Sequence, residues 1–103
     1  MTDHLIRRVV LTAEKIGSKE SMASFMKEAL QLPDYFGGNL DALSDLLSEV
    51  TEETVFVIEE SELAFMPEEG YAAKTLKVLD RAAEENPHIH LYLTDGFWIS
   101  EEP

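Results

Sequence analysis

Asp41 and Asp45 stand four residues apart in Asn39-Leu40-Asp41-Ala42-Leu43-Ser44-Asp45-Leu46-Leu47, a stretch with the apolar period of a helix. That spacing puts both carboxylates on one helix face, with Ser44 and Ser48 as neighbours. Paired carboxylates can move protons, hold a cation or meet a basic partner. General acid–base work would need further polar groups converging on a pocket, and serine is a poor general acid. Asp41 also has a bland explanation, because the helix dipole stabilises an acid in the first turn. Asp45 lies further in, where the dipole explains less. Three readings stay open for the pair: a solvated face, a partner-binding face and a catalytic couple.

His88-x-His90 places two imidazoles on one face of a strand. The spacing can bind zinc, but no third ligand follows at a familiar distance, although Asp95 is near in sequence. Two strand-edge histidines are the plainer reading, and no metal or other cofactor is expected. His4, beside the start of the sequence, reads as exposed. Gly37-Gly38 lacks the glycine spacing and the lysine of a phosphate loop and sits in an acidic stretch. One of the two glycines is expected to adopt positive φ or to let the backbone approach a neighbour closely. Tyr35 and Phe36, in the loop before the acidic helix, either pack onto the core or serve as interface anchors. Phe97 and Trp98 either dock the tail or form an exposed patch. No Ser/His/Asp triad and no dinucleotide fingerprint emerges, cysteine is absent, and nothing supports an enzyme.

The elements that must position these residues follow from the apolar pattern. Val9-Val10-Leu11 reads as a strand buried on both faces. Gly17-Ser18 turns, and Ser18 or Ser21 caps a helix whose stripe is Met22, Phe25, Met26, Ala29 and Leu30. Pro33 stops it. Asn39 caps the second helix, with Leu40, Leu43, Leu46, Leu47 and Val50 inward. Thr54 to Ile58 is a second buried strand, and residues 59–69 read as irregular. A third helix from Gly70 turns Ala72, Leu76, Leu79, Ala82 and Ala83 inward and ends at Asn86-Pro87. His88 to Leu93 is a third strand, and Thr94-Asp95-Gly96 turns out of it. Strands separated by helices predict right-handed crossovers and a small parallel sheet. The expected fold is a two-layer α/β domain over residues 1–103, with helices mainly on one side.

Composition narrows the function. The 103 residues hold 8 basic and 21 acidic side chains, a net charge of −13 with neutral histidines. Such a protein is repelled by nucleic acid and by anionic lipid. No apolar run approaches the roughly 18–20 residues of a membrane span, and the first residues lack the features of a signal peptide. A cytoplasmic protein is expected. The charge is uneven: residues 28–73 carry twelve acids and no lysine or arginine. That block reads either as a solubilising surface or as a face for a basic partner.

The run Leu32-Pro33-Asp34-Tyr35-Phe36-Gly37-Gly38-Asn39-Leu40-Asp41-Ala42-Leu43-Ser44-Asp45-Leu46-Leu47 resembles the barstar family of bacterial intracellular ribonuclease inhibitors. The resemblance is tightest over residues 30–47 and extends, through the order of helices and strands, over about 21–93. It implies three parallel strands packed with helices. It also implies a function without chemistry of its own, the 1:1 occlusion of a microbial-type ribonuclease by the loop and second helix. By that resemblance Tyr35 would lie on a catalytic histidine of the enzyme, Asp45 would replace a substrate phosphate, and Asp41 would flank it. Gly37, Asn39, Leu40 and Ala42 would line the contact, with Phe36, Ser44, Glu49, Arg81 and Glu85 around it. The chain departs from the family pattern at Ser44 and at about Val50, where tryptophans are usual. It departs again at Arg81, where an acid is usual, while Glu85 keeps an acid one turn on. A ribonuclease or ribonuclease-like toxin with an acidic group facing Arg81 fits these departures. Two rivals remain at this level: a barstar-like module for a basic protein without ribonuclease activity, and a small metal-assisted enzyme built on His88, His90 and an acid. The free protein is expected to be a monomer.

Overall fold

The computed structural model describes residues 6–94. The expectations placed on His4, on Asp95 and Gly96 and on Phe97 and Trp98 therefore lie outside the described residues.

The chain runs β1 (Arg7–Leu11), α1 (Lys19–Leu30), α2 (Leu40–Leu47), β2 (Thr54–Glu59), a 3-10 helix (Glu60–Phe65), α3 (Tyr71–Glu85) and β3 (Ile89–Thr94). The strands form one parallel sheet in the order β1-β2-β3. Val9 pairs with Phe56 and Leu11 with Ile58, and across the other ladder Thr54 pairs with Ile89 and Phe56 with Leu91. Side chains alternate along each strand, so Val9, Leu11, Phe56, Ile58 and Ile89 share one face. They join Met22, Met26 and Leu30 of α1, Leu43 and Leu47 of α2, and Ala72 and Leu79 of α3 in a single core. The two-layer α/β architecture is thus the one the apolar periods predict.

The opposite sheet face carries Val10, Val55, Val57, His90 and Tyr92. Only the central strand is buried on both faces, with Phe56, Val57 and Ile58 all inaccessible. β1 is not: Val10 is 45% exposed while Val9 and Leu11 are buried. The expectation of a strand buried on both faces fails there because β1 is an edge strand and the helices cover one side. Residues 59–69 are more ordered than expected, since Glu60–Phe65 closes into a 3-10 helix. Glu62 reaches back from it to accept from the Ala13 backbone N–H at 2.7 Å.

Local chemistry explains the boundaries. Ser18 and Ser21 both cap α1, in a reciprocal capping box. Its C-terminus turns at Gln31, a non-glycine residue at φ 56°, before Pro33. Arg7 donates to the Leu30 carbonyl at 3.2 Å and pairs with Glu52, which ties the end of α1 to the start of β1 and the approach to β2. Thr75 is buried inside the stripe of α3, its hydroxyl donating to the Tyr71 carbonyl at 3.0 Å.

Candidate functional site

The loop before α2 is tethered at several points. The Leu32 N–H donates to the Lys27 carbonyl at 2.9 Å, Lys27 pairs with Asp34 at 3.3 Å, and the Phe36 N–H closes a turn onto the Pro33 carbonyl at 2.9 Å. Of the two glycines, Gly38 is the one at positive φ (78°), and a Cβ there would lie 3.3 Å from the Ala23 Cβ. The chain needs glycine at that point to turn while resting on α1. The aromatic pair divides. Phe36 packs against the core, whereas Tyr35 is 78% exposed.

Asn39 caps α2, its side-chain oxygen accepting from the Ala42 N–H at 2.7 Å. Leu43 and Leu47 are buried beneath the helix, and Leu40 and Leu46 are half-buried. The exposed side presents Asp41, Ser44, Asp45 and Ser48 together. The two carboxylates are separated along the axis by about 6 Å, four residues of helical rise. Neither has an ion-pair partner among the described residues.

The far end of α2 is held by a residue that no local pattern reveals. Asn86, only 6% exposed, donates from Nδ2 to the carbonyls of Leu47 (2.9 Å) and Val50 (3.0 Å), and its Oδ1 accepts from the His88 N–H at 2.9 Å. The last carbonyls of a helix lack intrahelical donors, and here the residue that caps the end of α3 supplies one. Both ends of α2 are therefore fixed.

Among the described residues, three shallow depressions flank this helix. One is lined by Tyr35, Phe36, Gly37, Ala42, Asp45, Leu46 and Glu49. A second, toward α3, is lined by Leu40, Asp41, Ser44, Lys77, Val78 and Arg81. The third is lined by Ser44, Ser48, Ala82, Glu85, Asn86 and Pro87. The partner-contact candidates named from the sequence all lie along these walls, except Asn39, which caps the helix. Lys77 was not among them. Its position one turn before Arg81 on an amphipathic helix was the available signal. Leu46 and Val78 also line these hollows; the apolar period assigns Leu46 inward and does not include Val78 in the stripe of α3.

The histidine pair sits elsewhere, at the start of β3. Glu53 binds both rings, through Oε2 to His88 Nδ1 at 3.0 Å and Oε1 to His90 Nε2 at 2.8 Å. The hydrogen bond to His90, and then that to His88, holds the Glu53 carboxyl below the usual carboxylate range. The His90 ring stacks on Tyr92 with centroids 6.3 Å apart. Among the described residues no group of three or more His, Asp or Glu side chains is arranged to hold a metal ion. Nor is any helix of the described residues long and apolar enough to cross a membrane.

An exposed acidic helix thus lies beside an exposed tyrosine on a three-stranded parallel frame. The family profile described as Barstar (barnase inhibitor) matches residues 6–95, and the members of that family are inhibitors without enzymatic activity. The chain is also 31% identical over 81 residues to "Putative ribonuclease inhibitor YrdF" of Bacillus subtilis (strain 168), covering 78% of this chain and 89% of that protein. The parallel sheet, the capped acidic helix and these matches together place the chain in the barstar family.

Proposed function

We propose that this protein inhibits a microbial-type ribonuclease by plugging its active site, 1:1, with the loop at residues 35–37 and the exposed face of α2. The observation that carries the reading is the unpaired state of Asp41 and Asp45 on a helix fixed at both ends. A ribonuclease holds an anionic phosphodiester with cationic side chains. Two preorganised carboxylates can satisfy those cations in place of phosphate, and charge-assisted pairs to arginine are strong and can be bidentate. Asp45 takes the central position, Asp41 flanks it, and Tyr35 stacks on the enzyme surface. Gly37, Asn39, Leu40 and Ala42 line the contact, and Phe36, Ser44, Glu49, Arg81 and Glu85 border it.

The surrounding acidic block would steer a basic enzyme toward the site. Fast capture suits a cytoplasmic immunity protein that protects the cell making the ribonuclease. The test is a titration into barnase and other guanyl-preferring ribonucleases, following RNA cleavage. Stoichiometric inhibition is expected. A basic protein without ribonuclease activity captured through the same face, with every ribonuclease left active, would replace this reading.

A further inference from the structure

We infer that Lys77 and Arg81 form the second half of the recognition surface, a cationic seat on α3 for a carboxylate of the same partner that meets Asp41 and Asp45. The inference rests on the inhibitor reading above. Lys74, Lys77 and Arg81 are the only lysines or arginines beyond residue 27. Their spacing of three and four puts them on one face of α3, and all three are exposed. None has an ion-pair partner among the described residues.

Lys77 and Arg81 line the hollow between α2 and α3 together with Asp41, yet no ion pair forms across it. Both signs of charge thus stay available to an incoming surface. The short side chain of Ser44 leaves the hollow open, and the half-buried Leu40 and Val78 give it apolar walls. A carboxylate on an aliphatic stem fits this mixture. The stem lies against Leu40 and Val78, and the head meets the ammonium of Lys77 and the guanidinium fork of Arg81. Nucleic acid is the other source of anions, but a net charge of −13 opposes a polyanion at so small a cationic patch.

The sign of the effect makes the test sharp. Deleting cations from an acidic inhibitor should, by long-range steering alone, leave binding to a basic enzyme unchanged or tighten it. Lys77 and Arg81 are expected to do the reverse. The full-length protein and the K77A/R81A and K74A variants are compared against the ribonuclease that the parent neutralises, barnase being tried first. K77A/R81A is expected to bind at least about tenfold more weakly, chiefly through faster dissociation, because hydrogen-bonded charge pairs are lost. K74A lies on the same stripe outside the hollow and should not weaken binding. Carbodiimide treatment of the parent complex should join Lys77 to a carboxylate of the enzyme.

Unchanged or tighter binding by K77A/R81A overturns the inference. So does equal weakening by K74A, which would make the effect one of overall charge. An RNA oligonucleotide bound by the parent and released by K77A/R81A would also overturn it, assigning the seat to nucleic acid. Failure of the inhibitor reading itself would show separately, as a parent protein that stops no ribonuclease, and it would remove this inference too.

Discussion

Replacing Asn86 with alanine tests what holds α2 in place. The side chain is nearly inaccessible and makes three hydrogen bonds between 2.9 and 3.0 Å. A hydrogen bond contributes about 0.5–1.5 kcal/mol net, and a buried group left without its partner costs about 1–3 kcal/mol. The three groups are not equal. The Leu47 carbonyl keeps a second donor, the Val50 N–H at 3.2 Å, so its loss should be small. The Val50 carbonyl and the His88 N–H lose the side-chain partner the structure gives them, though both bonds are only partly buried. The sum is about 2–4 kcal/mol, a large part of the roughly 5–15 kcal/mol that stabilises a domain. Urea unfolding followed by circular dichroism measures it. The Asn86→Ala midpoint should fall with the slope unchanged, and inhibition at concentrations where the variant is folded should weaken as α2 loses its tether. A loss under about 1 kcal/mol would refute the reasoning, because it would mean that water replaces all three bonds without penalty.

Tyr35→Ala should abolish tight inhibition while changing stability by less than about 0.5 kcal/mol, as expected for an exposed side chain away from packing; a melt and a cleavage assay on one preparation check both. Asn39→Ala should cost about 1 kcal/mol through loss of the N-cap, read from the urea midpoint. Asp45→Ala should chiefly raise the dissociation rate, whereas Glu49→Ala should chiefly slow association and flatten its salt dependence, a contrast for which the barnase–barstar pair is itself the worked case; equal effects on both rates in stopped flow would refute the distinction. Glu53 has its pKa lowered by the two histidines in the folded state, so its contribution is present above the unfolded carboxylate pKa and is lost as pH falls through the folded value. The parent should therefore be more stable than Glu53→Gln at neutral pH, and the difference should vanish in acid.

What the sequence makes legible here is what depends on neighbours along the chain. Asn39 as a cap, the stripe of α2 and the acidic face opposite it all follow from spacings of three and four, and the structure realises them. Ser18 and Ser21 were competing cap candidates, and both serve, because a capping box uses two residues. Long-range pairings left no such trace. Asn86 reads as a stop signal beside Pro87, yet it bonds carbonyls 36 and 39 residues away. Glu53 looks like one acid among many, and only the register of β2 against β3 brings it to His88 and His90. Val9-Val10-Leu11 has the composition of a central strand, and its exposure was decided by sheet order, which no run of residues records. Tyr35 and Phe36 are alike in type and adjacent, so their opposite fates depend on which ring the turn at Pro33 directs inward.

The central claim is that the loop and α2 occupy the ribonuclease active site, and competition with an active-site ligand tests it most directly. The affinity of the protein for the ribonuclease it neutralises would be measured against rising guanosine 3′-monophosphate. If Asp45 stands where phosphate binds, the apparent Kd should rise in proportion to nucleotide concentration, with no ternary complex. An apparent Kd independent of nucleotide, with both bound at once, would contradict the account and move the contact away from the catalytic centre.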